Sequence, residues 1–157
     1  DVYKRQAMNL GAFAVIITLA RRTGSAEISS YSGSFHYAPG LTLAMTVFLF
    51  SLAGIPPLGG WFAKFEVFRV LATAGEPWGY ALAVVAAVNS VIALFYYATI
   101  ARRMWADEAP NGDLSPVPVT PSLVSALALC GIVTLVFGVA PQAVARFTDV
   151  SLLALGG

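Results

Sequence analysis

Lys64 is the residue of this sequence whose type and setting could do chemistry. It lies in Trp61-Phe62-Ala63-Lys64-Phe65, just past Gly54-Ile55-Pro56-Pro57-Leu58-Gly59-Gly60, in a run from Leu41 to Gly75 whose only other charges are Glu66 and Arg69. A lysine at mid-bilayer costs roughly 2.5–3.5 kcal/mol on insertion scales. Its sequence neighbours Trp61, Phe62, Phe65, Val67 and Phe68 are apolar and offer it no local partner. Removal from water favours the uncharged form of an amine, so such a group can take up and release a proton. That is the chemistry of a proton relay. The competing reading of the same spacing is a lysine that snorkels to an interface and does nothing more.

The residues before Lys64 explain how it could be housed. Proline removes a helical donor and clashes with the carbonyl four residues back. Pro56 and Pro57 therefore strip the carbonyls of Leu52 and Ala53 of their helical partners. Gly54, Gly59 and Gly60 let the backbone turn and approach its neighbours closely. In lipid an unsatisfied backbone group costs several kcal/mol, so such a break is tolerated only inside protein or beside a hydrated cavity. Discontinuous helices of transporters place ion sites at such breaks.

Other polar groups have plainer readings. Glu66 and Arg69 are three residues apart and can pair with each other near an interface. Asn89 and Ser90 are either relay groups or ordinary interhelical hydrogen bonders. Tyr96, Tyr97 and Trp105 read as an aromatic belt. His36 lies in a polar loop and reads as a solvated side chain rather than a ligand. Cys130 lies in an apolar run and reads as a small core residue rather than a reactive thiol. Nothing has metal-ligand spacing, a nucleotide loop or a nucleophile constellation, and no cofactor is expected in this chain.

The elements that must position Lys64 follow from composition. Of 157 residues, 58% are hydrophobic and 11% charged, and the mean hydropathy is +0.77. Soluble domains carry about 25% charged residues, so this chain lacks the polar surface to dissolve and is read as an all-α integral membrane protein. A net charge of +1 with no basic stripe argues against nucleic acid. Residues 1–6 (Asp1 to Gln6) are read as a truncated or non-native end. The spans are expected at 7–22 (a partial span), 41–75 broken at 54–60, 80–103 and 122–140, with a tail over 141–157 that reads either as an interfacial segment or as a frayed end. The four prolines between Asp107 and Pro121 forbid a long helix there. If 41–75 is one interrupted crossing, Arg21/Arg22 and Arg102/Arg103 fall on one side. The positive-inside rule makes that side cytoplasmic, with the Glu76–Gly79 turn and the C-terminus outside.

Three segments carry a family resemblance: Met8-Asn9-Leu10-Gly11-Ala12-Phe13; Ser51-Leu52-Ala53-Gly54-Ile55-Pro56-Pro57-Leu58-Gly59-Gly60-Trp61-Phe62-Ala63-Lys64-Phe65; and Asn89-Ser90-Val91-Ile92 with Tyr96-Tyr97. They resemble the antiporter-like membrane subunits of respiratory complex I, subunit N in particular, over nearly all of Ala7 to about Ala140. The resemblance implies the last four helices of a fourteen-span subunit in the bacterial inner membrane, the second of them discontinuous. It implies a proton-translocating role for Lys64, with relay partners in the absent part of the chain. It also implies partnership with other complex I membrane subunits and the lipid bilayer. NADH and quinone would be used by the whole complex, and the redox centres would lie in other subunits. Subunits of multisubunit sodium/proton antiporters or membrane-bound hydrogenases would share the break and the lysine, and a structural membrane scaffold is a third reading. Glu66 and Arg69 stand where many members carry apolar or aromatic residues. The loop from Thr23 to Pro39 lacks the expected acidic run, and Asp1 to Gln6 matches nothing in the pattern.

Overall fold

The computed structural model describes residues 2–56, 58–73, 75–109 and 112–139. Among them the order is α1 (Val2–Thr23), a 3-10 turn (Ile28–Tyr31), α2 (Ser34–Tyr37), α3 (Pro39–Ala53), α4 (Gly59–Thr73), α5 (Pro77–Ala106) and α6 (Pro121–Val139). The sequence sets these boundaries locally. α3, α5 and α6 each begin on proline, whose missing N–H is among those a first helical turn leaves unpaired anyway. α1 ends on Arg21 and Arg22, followed by Gly24 at φ 71, whose N–H returns to the Ala20 carbonyl.

Three differences from the sequence expectation exceed a shift of a few residues at a helix end or change the reading of a segment. α1 begins at Val2, because Lys4, Arg5 and Gln6 are good helix formers and carry no breaker. α5 extends to 30 residues. The stretch from Thr23 to Gly40, expected as a polar loop, instead folds inward and buries Tyr31, Ser34 and Tyr37. The expected tail, 141–157, lies outside the described residues. Among the described residues α5 and α6 are long and apolar enough to cross a membrane.

α3 is the hub, packing on α1, α5, α6 and the first turns of α4. Its buried residues Met45, Phe48 and Leu49 meet Val15 and Leu19 of α1 and Met104 of α5. Small residues allow the close approaches. A Cβ on Gly11 would collide with the Phe48 ring. Lipid is as apolar as leucine, so such backbone-to-ring contact supplies the dispersion energy that holds membrane helices together.

α3 and α4 are each 15 residues, about 22 Å, too short alone for a hydrocarbon core of about 30 Å. Together they match the length of α5. The two glycines that open α4 make the joint possible. A Cβ on Gly60 would run into the Ser51 carbonyl of α3, and one on Gly59 would lie 3.0 Å from the Thr134 carbonyl of α6.

The end of the bundle that carries the arginines is tied across sequence. The Gly33 N–H donates to the Arg103 carbonyl at 3.0 Å. Arg22 lies with its guanidinium 3.8 Å from the Tyr37 ring centroid. It donates to the Asp113 carbonyl at 3.0 Å and pairs with its carboxylate at 3.2 Å. Trp105 donates to Thr46 at 2.8 Å and stacks on Phe35, a more specific placement than an aromatic belt. Both arginine pairs therefore sit at one end.

Two outcomes are expected. Gly60→Ala forces the joint between α3 and α4 apart and costs about 1–3 kcal/mol, which a lowered thermal midpoint of the purified membrane protein would register; an unchanged midpoint contradicts the close approach. At the arginine end, hydrogen bonds from Ser115, with Arg22 adding to them, hold the Asp113 carboxyl below the usual carboxylate range. A depressed carboxylate pKa stabilises the tie above the ordinary carboxylate range and stops doing so as pH falls through the folded value. Amide exchange around Ser115 should be slow at neutral pH and accelerate in Arg22→Ala; equal rates in both proteins would remove the tie.

Candidate functional site

α3 closes on Gly54, at φ 87, a backbone conformation other residues adopt with strain. The Gly54 N–H reaches the carbonyls of Phe50 and Ser51, and the Ile55 N–H also reaches Phe50. This left-handed cap satisfies two of the carbonyls that a helix end leaves open. Leu58 donates to the Ile55 carbonyl and Trp61 to the Leu58 carbonyl, which carries the chain across the break into α4. Pro56 lies in this turn; Pro57 lies outside the described residues.

One carbonyl stripped by the prolines finds its donor at a distance. Lys64 Nζ, one turn into α4, donates to the Ala53 carbonyl at 2.6 Å. The ammonium thus meets the partial negative charge at the carbonyl end of α3. Its aliphatic stem lies over Gly54, where a Cβ would stand 2.8 Å from Lys64 Cδ. Gly54 is needed twice, for its turn and for the space above it.

Lys64 lines a cavity of about 310 Å³ together with Ala53, Gly54, Trp61, Phe65 and Ser90. Trp61 and Phe65 stack with ring centroids 5.0 Å apart. Ser90 spends its proton on the Ala86 carbonyl at 2.8 Å, and its oxygen can still accept a hydrogen bond. Lys64 has no carboxylate partner among the described residues.

The sequence candidates separate in space. Lys64, Gly54, Pro56 and Ser90 share the cavity wall, and Gly59 and Gly60 fix α4 beside it. Asn89 is exposed on α5 and does not line the cavity. Glu66 is not on the cavity wall either; it pairs with Arg69 at 3.5 Å on an exposed face of α4. His36 is exposed, and Cys130 packs against the core. Sequence reasoning passed over Ser51, which is fully buried and hydrogen-bonds to both α1 and α4. Its signal was position: a small hydroxyl residue in the last turn before the break.

A family profile described as "NADH:quinone oxidoreductase/Mrp antiporter, TM" matches residues 5–92. The chain is 41% identical over 133 residues to NADH-quinone oxidoreductase subunit N 2 of Sorangium cellulosum, covering 84% of this chain and 26% of that protein. It is 43% identical over 152 residues to subunit N 1 of Koribacter versatilis, covering 96% and 28%. To subunit N of Chloroflexus aggregans it is 39% identical over 150 residues, covering 95% and 30%. The chain thus spans between a quarter and a third of the length of these relatives. The profile takes in most of the first helix, the break, Lys64 and Ser90 alike, and on that ground the chain belongs to the NADH:quinone oxidoreductase/Mrp antiporter membrane family.

Proposed function

We propose that this chain is part of a proton-translocating membrane subunit of NADH:quinone oxidoreductase, and that Lys64 is its proton-carrying residue. The observation that carries the reading is the Lys64 amine, held at 2.6 Å on the Ala53 carbonyl at a helix break and open to a cavity of about 310 Å³. That volume admits several waters, each about 30 Å³ in the liquid. A proton held on Nζ stays where the carbonyl end of α3 favours positive charge, and water in the cavity can deliver or remove it. The Ser90 oxygen is a second polar contact for such water. Redox chemistry belongs to other subunits in this reading. The names of the relatives support subunit N, and the family description also covers Mrp antiporters, the second reading.

The gathering of both arginine pairs at one end supports a cytoplasmic placement for that end, with the Glu76–Gly79 turn outside. The partners in this reading are the other membrane subunits of the complex and the surrounding lipid, which suits the exposed Val84, Val88, Val91 and Phe95 of α5.

Lys64→Ala in the full-length subunit is expected to slow the transfer step by roughly 100-fold, read as lost proton pumping by inverted vesicles whose complex is shown to be assembled. Pumping at the wild-type rate and stoichiometry would end the relay reading. For orientation, a cysteine placed in the Glu76–Gly79 turn should react with a membrane-impermeant reagent from the outside; reaction from the cytoplasmic side alone would reverse it.

A further inference from the structure

The Lys64–Ala53 contact depends on how α4 is set against α3, and a second contact lies beside it. Ser51 is fully buried two residues before Ala53. Its Oγ accepts from the Gly60 N–H at 3.3 Å, and Gly60 stands four residues, one turn, before Lys64. The Gly60 N–H is one of the amides that the first turn of a helix leaves without an internal acceptor. The hydroxyl proton of Ser51 is directed the other way, to Met8 Sδ of α1 at 2.8 Å. One side chain therefore joins α1, α3 and α4. The contacts Ser51–Gly60 and Ala53–Lys64 both join α3 to α4, four residues apart along α4 and two apart along α3. Gly60 lies so close that no Cβ fits between its backbone and the Ser51 carbonyl. A slip of α4 along α3 breaks both contacts together.

We propose that Ser51 is a positioning residue for Lys64: it caps the first turn of α4 from α3 and thereby sets the register that delivers the amine to the Ala53 carbonyl. The proposal rests on the relay reading for its functional consequence, but its geometry is testable apart from it. Ser51 touches neither proton donor nor acceptor of the transfer itself. Met8 is secondary in this arrangement, because the lone pair that receives the Gly60 N–H remains when the sulfur is replaced.

The test uses the full-length subunit in the assembled complex, with Cys130 and the other native cysteines replaced and spin labels at positions 43 and 70, both exposed here on α3 and α4. Loss of one neutral hydrogen bond changes the docked population about fivefold. Ser51→Ala should therefore broaden the label distance distribution, lower the protons pumped per electron pair and displace the pH profile of pumping. Met8→Leu should leave all three unchanged. A wild-type distance distribution in Ser51→Ala overturns the proposal. If Ser51→Ala does not assemble, Ser51→Cys, of similar size but weakly hydrogen-bonding, should give a partial change in the same measurements, and wild-type values there overturn it equally. If Lys64→Ala pumps normally, the relay reading fails by itself, while the distance distribution still decides the role of Ser51.

Discussion

A helix that stops in apolar surroundings must find donors for its last carbonyls, and the structure around Lys64 follows from that requirement. The prolines at positions 56 and 57 carry no N–H, so the sequence itself withholds the donors that Leu52 and Ala53 would have had in a continuous helix. Gly54, in the left-handed conformation, returns its own N–H and that of Ile55 to Phe50 and Ser51. The Ala53 carbonyl lies beyond the reach of that cap, and Lys64 supplies the donor. The break and the lysine are one arrangement rather than two neighbouring features.

The magnitudes agree with that view. Placing a lysine at mid-bilayer costs about 2.5–3.5 kcal/mol. A hydrogen bond to a charged group contributes about 1.5–3 kcal/mol, and a cation at the carbonyl end of a helix adds about 0.3–1 kcal/mol, more when partly buried. An unpaired Ala53 carbonyl would cost about 1–3 kcal/mol besides. The contact therefore offsets most of the expense of the charge, and the two expensive groups are cheaper together than either alone. The balance is close to even.

Much of this was legible in the sequence. The prolines identified the orphaned carbonyls by arithmetic, four residues back, and the apolar runs placed the starts of α3, α5 and α6 to within a few residues. The spacing of Glu66 and Arg69 gave their pairing. What escaped was tertiary. Periodicity along one segment cannot say that Ser90, and not its neighbour Asn89, lines the cavity with Lys64, because that depends on the rotation of α5 about its axis. The polar stretch after Thr23 concealed Tyr31 and Tyr37, whose hydroxyls are buried without hydrogen-bond partners among the described residues. Burial pushes the pKa of both phenols up, so they stay neutral in that core. Arg22 was read for its charge alone, yet it stacks on Tyr37 and holds the segment around Asp113.

Burial is unevenly divided between α3 and α4 among the described residues. Within this chain α3 carries seven buried residues and is gripped by α1, α5 and the folded segment around Tyr31. α4 carries an ion pair and several large apolar groups on exposed faces, and it meets α3 mainly through Gly60 and Lys64. Segments with few buried contacts open at the lowest free energy. Loss of the Lys64–Ala53 hydrogen bond would remove one of the contacts between α3 and α4 while leaving the packing of α3 on α1 and α5 untouched. The rest of the hold on α4 comes mainly from α5 and α6, which both pack along it.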